Sequence, residues 1–296
     1  SNPMPDTILR SQVFRDAEFP LAVQRIPQHG SGDDQHAHAF HELVLIMKGH
    51  GTHAVGPESY KLETGDVFVI QGDTTHGYME TDKMTLVNIL YDPDQLRIPH
   101  ADLGGLPGYQ ALFCVEPQVR RHRKFQSRLR LGIDELARAS NLVAELAEEL
   151  TSRTPGYRFM ATTHLMRLLG YLSRCYSQLD LDLTRPVNQI SKVLGYLERH
   201  FTEPVQVADL VKVAGMSQTS LMRHFGQVME RSPVDYLIHL RVNHAKRLLR
   251  GTQFSISEVA LQSGFCDSNY LARQFRRVAG VSPREYRRQA AGSALP

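Results

Sequence analysis

A chain of 296 residues is too long for one small domain and, at roughly 100–200 residues per domain, predicts two or three. With 42% hydrophobic and 22% charged residues and three scattered cysteines (Cys114, Cys175, Cys266), the composition excludes collagen-like, disordered and disulfide-framework proteins. The net charge of +3 is uneven: residues 1–184 carry 18 Lys and Arg against 23 Asp and Glu (net −5), and residues 185–296 carry 16 against 8 (net +8). A basic last third on an acidic body fits a nucleic-acid-binding domain joined to something else. No apolar run approaches the roughly 20 residues that cross a bilayer, and no apolar signal core opens the chain. A cytoplasmic protein with no membrane partner is expected, Ser1-Asn2 ahead of Met4 reading as a leftover of expression.

The first hundred residues hold strand-length apolar runs closed by turn residues. Leu43–Met47 ends at Lys48-Gly49-His50-Gly51, Asp66–Ile70 at Gln71-Gly72-Asp73, and Met84–Tyr91 at Asp92-Pro93. Such spacing suits an antiparallel β-barrel or sandwich. Asp92 to Pro117, with its Gly and Pro, reads as loop with short structure. From about Arg128 the period turns helical. One stripe holds Ile133, Leu136, Val143, Leu146 and Leu150, and after Thr154-Pro155-Gly156 a second holds Leu165, Leu168, Leu169, Leu172, Tyr176 and Leu179. This predicts a helical hairpin that covers the barrel or makes a dimer seam. Asp180–Pro186 reads as a linker.

The last hundred residues contain an internal repeat. Val211 and Gly215 recur as Ala260 and Gly264, and Leu221, Arg223, Phe225, Ser232-Pro233 and Tyr236 recur as Leu271, Arg273, Phe275, Ser282-Pro283 and Tyr286. Each copy, Ala208–Met229 and Ser257–Ala279, reads as a short helix, a glycine turn and a second helix opening at a small polar residue, Ser217 or Cys266. That is the layout of a helix-turn-helix, whose second helix enters the major groove. A long amphipathic helix over Pro233–Arg250 joins the copies, so two reading heads are expected to meet successive grooves of double-stranded DNA.

In the first copy Gln218, Thr219, Met222 and Arg223 project from the exposed turns, with Leu221 and Phe225 turned inward. Arg223, or its repeat partner Arg273, is suited to pair with both acceptors of a guanine. In the second copy Asp267, Ser268 and Asn269 open the helix: Asn suits adenine, and Asp suits a cytosine amino group or else caps the helix. His224, Gln274, Arg276 and Arg277 are expected at phosphates.

The segment "ISEVALQSGFCDSNYLARQFRRVAGVSPREYRR", residues 256–288, resembles the DNA-binding signature of the arabinose-regulator (AraC/XylS) family of bacterial transcription factors. The resemblance implies two helix-turn-helix units on one bridging helix, direct-repeat half-sites beside a promoter, and RNA polymerase as a partner.

The first third carries a second constellation. Gly30, five residues, His36-Ala37-His38, three residues, Glu42, six residues and Gly49 resemble the first motif of the cupin family of small β-barrels. The second motif keeps Gly65-Asp66 and His76 and departs at Gln71, Asp73 and Glu80. His36 and His38, two apart in a strand, share a side of the sheet, Glu42 joins them if the strand is regular, and His76 arrives from a neighbouring strand. Three imidazoles and a carboxylate suit Zn, Ni, Mn or Fe(II), and equally suit direct contact with a sugar. His41, His50 and His53 read as surface or strand residues.

Taken together, "HAFHELVLIMKGHGTHAV", "GDVFVIQGDTTHGYMETDKMTLVNILYDPDQL" and "FCDSNY" resemble the rhamnose-operon activators within that family, with Thr219 standing where that group carries a basic residue. The expected architecture is α+β and multidomain. It comprises a cupin-like sensing barrel over 1–117, a helical hairpin and linker over 118–184 making a homodimer, and an all-α DNA-binding domain over 185–296. The expected function is activation of a sugar-catabolic operon under a sugar such as L-rhamnose. Two other readings stand beside it: a metal-dependent cupin enzyme localised by its DNA-binding domain, and a repressor that takes no ligand.

Overall fold

Among the described residues, eight strands build the first half of the chain: β1 (Asp6–Thr7), β2 (Leu21–Ile26), β3 (His36–Ala37), β4 (His41–Val55), β5 (Glu58–Glu63), β6 (Asp66–Ile70), β7 (His76–Tyr91) and β8 (Leu129–Arg130). The computed structural model describes residues 6–27, 30, 35–72, 74–96, 98–99, 102–122, 129–179 and 186–292. They form two compact units, Ser1–Asp182 and Leu183–Pro296.

The long strands β4 and β7 pair antiparallel from end to end and organise the first unit. The first half of β4 also pairs β6 and its second half β5, while β7 pairs β2 near its end and β3 at His76. Val44, Ile46, Phe68 and Ile70 of one half pack against Val55, Tyr60, Leu62 and Tyr78 of the other, so the sheet is folded over on itself. The expected barrel is corrected in one respect: among the described residues the ladder ends at β1 and β8 without closing. Both end strands are two residues long, too short to pair around the gap.

Leu43, Val44, Leu45 and Ile46 are all fully buried, which accounts for an apolar run without alternation: both faces of β4 are covered. The outer face, with Leu43, Leu45, Val67, Val69, Val87 and Ile89, carries the helical hairpin α5/α6 described next. Before it come α1 (Arg10–Val13), α2 (Pro93–Leu96), a 3-10 turn (Leu103–Gly105), and α3 (Pro107–Tyr109), which continues through a π-helical stretch (Gln110–Val115) into α4 (Glu116–His122). Asp92–Pro117 is therefore largely helical rather than loop. Pro107 sits at the first helical position, where its missing N–H costs nothing, and Gly108 lets α3 approach the backbone of Ser173.

The hairpin consists of α5 (Ile133–Ser152) and α6 (Tyr157–Ser177). Ala139, Leu142, Val143 and Leu146 meet Leu165, Leu168, Leu169, Leu172 and Tyr176 in the same core as the sheet. Ile133 departs from the predicted stripe: it opens α5 and is 90% exposed. Each fully buried Leu here contributes about 1.5–3 kcal/mol, more than an exposed pair such as Arg167–Glu145 supplies at about 0–1 kcal/mol. Packing of the apolar stripes, not surface charge, holds the hairpin down. Of the expected linker, only Pro186 lies within the described residues.

The second unit is all helical: α7 (Pro186–His200), α8 (Val207–Ala214), α9 (Gln218–Met229), α10 (Pro233–Gly251), α11 (Ile256–Gln262), α12 (Ser268–Ala279) and α13 (Pro283–Gly292). The repeat persists in detail. Leu221 and Phe225, like Leu271 and Phe275, are fully buried. Phe225 meets Tyr236 edge-on at 5.9 Å, and Phe275 meets Tyr286 at 5.4 Å. The recurring Ser-Pro opens α10 and α13: Ser232 accepts from the Asp235 N–H and Ser282 from the Glu285 N–H, with proline at the first helical position of α10. No helix among the described residues is long and apolar enough to cross a membrane.

Candidate functional site

In the first unit the folded sheet gathers His36, His38, Glu42 and His76, with one ligand atom of each within 4.8 Å of the others. His36 and His76 are cross-strand partners of β3 and β7, their rings 4.4 Å apart. His38 and Glu42 come from either side of the break between β3 and β4, and His38 stacks on Phe40 at 4.2 Å. His38, Glu42 and His76 are buried, and His36 is half-buried.

Hydrogen bonds fix the tautomers. His38 Nδ1 donates to the Phe40 carbonyl and His76 Nδ1 to the Thr74 carbonyl, each at 2.9 Å. A carbonyl only accepts, so both Nδ1 atoms carry the proton and both Nε2 atoms turn to Glu42. His38 Nε2 lies 2.7 Å and His76 Nε2 3.5 Å from the same Glu42 oxygen. Burial pushes the Glu42 carboxyl up, but hydrogen bonds and charge from His38 and His76 outweigh it and hold it well below the carboxylate range. A carboxylate facing two buried imidazole Nε2 atoms is a set that a divalent cation satisfies at once. Backbone carbonyls already orient the rings, so these residues fit such an ion. Bound there, it would supply a Lewis-acid centre for an oxygen ligand.

Sequence reasoning missed His53. Expected at the surface or along a strand, it is fully buried inside the folded sheet, its ring 5.7 Å from His76 and 4.9 Å from Tyr78. His50, by contrast, is exposed, and His41 lies edge-on to Tyr91 at 5.5 Å. Shifts in the β4–β7 register between Ile46 and Thr52 account for this. Inward residues are even-numbered before them (Glu42, Val44, Ile46) and odd-numbered after (His53, Val55). Of the second cupin-like motif, Asp66 is structural: it accepts from Arg130 Nε at 2.8 Å and from the Glu63 N–H at 2.7 Å.

In the second unit the residues expected to read DNA lie on α9 and α12. Gln218, Thr219 and Arg223 are exposed; Met222 and His224 are half-buried, and His224 lies 3.3 Å from Arg223. In α12 Asn269, Arg273 and Arg276 are exposed and Ser268 is half-buried, with the Arg273 guanidinium 5.2 Å from the Tyr270 ring. The cap of α12 is Asp267 rather than Cys266. Asp267 accepts from the Tyr270 N–H at 2.7 Å and from the Cys266 thiol, and these bonds hold its carboxyl below the ordinary range. Arg277 is held within the protein, bonding Asp235 of α10 at 2.8 Å and Gln274 at 2.9 Å.

A duplicated helix-turn-helix with exposed polar recognition turns, carried on one chain with a domain that buries a ligand cluster, defines a DNA-binding regulator. A family model described as a helix-turn-helix domain matches residues 210–289, and one described as an AraC-like ligand binding domain matches residues 19–169. The HTH-type transcriptional activator RhaR of Klebsiella pneumoniae is 30% identical, covering 98% of this chain and all of its own length. RhaR of Escherichia coli strain K12 is 28% identical over 95% of each chain. Among solved structures, the DNA-binding domain of AdpA in complex with a target DNA is 32% identical over 36% of this chain and 96% of its own, with a TM-score of 0.35. The chain belongs to the AraC family of helix-turn-helix transcription regulators. Both of these relatives are named transcriptional activators.

Proposed function

We propose that this regulator activates a sugar-catabolic operon, with L-rhamnose or a related sugar as the effector held by residues 1–117. The observation that carries the reading is the pairing, in one chain, of a duplicated reading head with a buried His/Glu cluster in the ligand-binding domain. Its motifs resemble those of rhamnose-operon activators, which supports the choice of sugar. Within the cluster, three imidazoles and one carboxylate gathered together are the donor set that Zn, Ni, Mn or Fe(II) would take. An effector hydroxyl then reaches the site past half-buried His36. The hairpin within residues 118–184 makes a homodimer. Residues 185–296 bind direct-repeat half-sites through Gln218, Thr219, Met222, Arg223, Ser268, Asn269 and Arg273, with His224 and Arg276 at phosphates, and engage RNA polymerase there. Asp267 serves as cap and Arg277 as brace.

Sugar in the sensing domain must bind one conformational state better than another, and its effect on DNA binding is bounded by that difference. The test is a melting curve of the full chain against pentoses, hexoses and deoxysugars, followed by DNA binding with and without any hit. A sugar at 100 times its dissociation constant adds about 2.7 kcal/mol if it binds only the folded state. A rise with L-rhamnose and a change in operator affinity are expected. Indifference to every sugar would favour the ligand-independent repressor.

A further inference from the structure

We propose that His53 is a positioning residue of the cluster, its Nε2 hydrogen-bonding an oxygen held on the bound cation beside His76. This rests on the reading that the cluster takes a divalent cation. His53 and His76 both face into the folded sheet: on β4, His53 stands opposite Tyr78 of β7, and Val55, two residues on, stands opposite His76. They are diagonal neighbours on one face. His53 Nδ1 is hydrogen-bonded to the Tyr60 hydroxyl across the β4–β5 pair. Its Nε2 is buried without a hydrogen-bond partner.

A buried polar atom left unmade is costly, and the positions around His53 show the alternative, since Val44, Ile46, Val55 and Phe68 fill the same interior with hydrocarbon. With one nitrogen committed to Tyr60, the His53 ring has a single hydrogen bond left to make. An oxygen ligand on the cation, either water or an effector hydroxyl, takes that bond. Groups that orient a metal's ligands change its affinity about 10–100-fold when removed.

The experiment uses full-length protein and Co(II), whose visible absorption reports its coordination, with affinity measured by chelator competition. His53→Phe keeps a buried ring and removes both nitrogens; His53→Gln keeps a donor near the Nε2 position. Co(II) affinity is expected to fall about 10–100-fold in His53→Phe, with a changed spectrum, and to stay within a few-fold of the parent in His53→Gln. Adding L-rhamnose separates the two oxygen sources. If the oxygen is an effector hydroxyl, the sugar shifts the parent's spectrum and not that of His53→Phe; if it is water, the sugar leaves both unchanged while the affinity loss persists. Should His53→Phe fail to fold, Tyr60→Phe, which releases Nδ1, must weaken Co(II) in the same direction. A folded His53→Phe that binds Co(II) with parental affinity and spectrum overturns the proposal and leaves the cation reading standing. A parent that binds no Co(II) overturns both.

Discussion

The turn glycine of the first helix-turn-helix, Gly215, has a φ of +63°, and a Cβ placed on it meets nothing within 4 Å. Its counterpart Gly264, at +81°, is enclosed: a Cβ there would lie 2.6 Å from the Phe201 carbonyl oxygen, 2.8 Å from Thr202 Cα and 2.9 Å from Arg241 Nε. The caps differ as well. Ser217 accepts from Ser220 in the first copy, and Asp267 from Tyr270 in the second. One turn needs glycine for its backbone conformation alone. The other needs it also because the α7–α8 connection packs onto it. Duplication has preserved the reading geometry while giving the two copies unequal tolerance to change.

The largest expected effect lies at that difference. Gly264→Ala must bear both a left-handed alanine and a displaced backbone, about 3 kcal/mol together, or of order 10–20 °C in Tm. Next, Arg223→Ala is expected to cost about 1–3 kcal/mol in DNA binding and to relax base preference at one half-site. Uniform weakening across random sequences would instead make Arg223 a phosphate contact. Gly215→Ala carries only the conformational cost, about 1 kcal/mol, so equal Tm losses at the two glycines would erase the contrast.

The smallest effect concerns pH. Asp267 has a lowered pKa in the fold, held there by the Tyr270 N–H and the Cys266 thiol, so its contribution is complete above the unfolded carboxylate value of about 3.9. That contribution is lost as pH falls further. The Tm difference between the parent and Asp267→Ala should therefore hold from pH 6 to about pH 4 and shrink as the pH falls below about 3.9. That between the parent and Ser217→Ala should not shrink, because serine does not titrate in this range.

What could be read from the chain follows the same division between local and distant causes. Leu221, Phe225, Leu271, Phe275 and the two Ser-Pro caps lie at fixed spacings within short helices, so the duplicated heads and their buried faces were legible. The cluster was legible too, since His36 and His38 sit two apart and Glu42 close behind. His53 was not, because the parity of β4 inverts across register shifts that only pairing with β7 reveals. Asp92–Pro117 misled because Gly and Pro usually interrupt helices; here Pro107 opens one and Gly108 serves its close packing. Ile133 fits the helical period yet stands at the first turn, beyond the reach of the core.

Arg241 of α10 donates from Nε to the Phe201 carbonyl at 2.6 Å and from its terminal nitrogen to the Glu203 carbonyl at 2.8 Å, fastening the segment that lies over Gly264. The same segment leaves the end of α7, a helix that packs on α8 and α9 of the first copy. A single helix is thus anchored at both reading heads, against one along its side and the other at its tip. Mechanically this is a lever with two fixed points. A substitution that displaces the end of α7 is therefore expected to disturb both heads at once, not one of them alone.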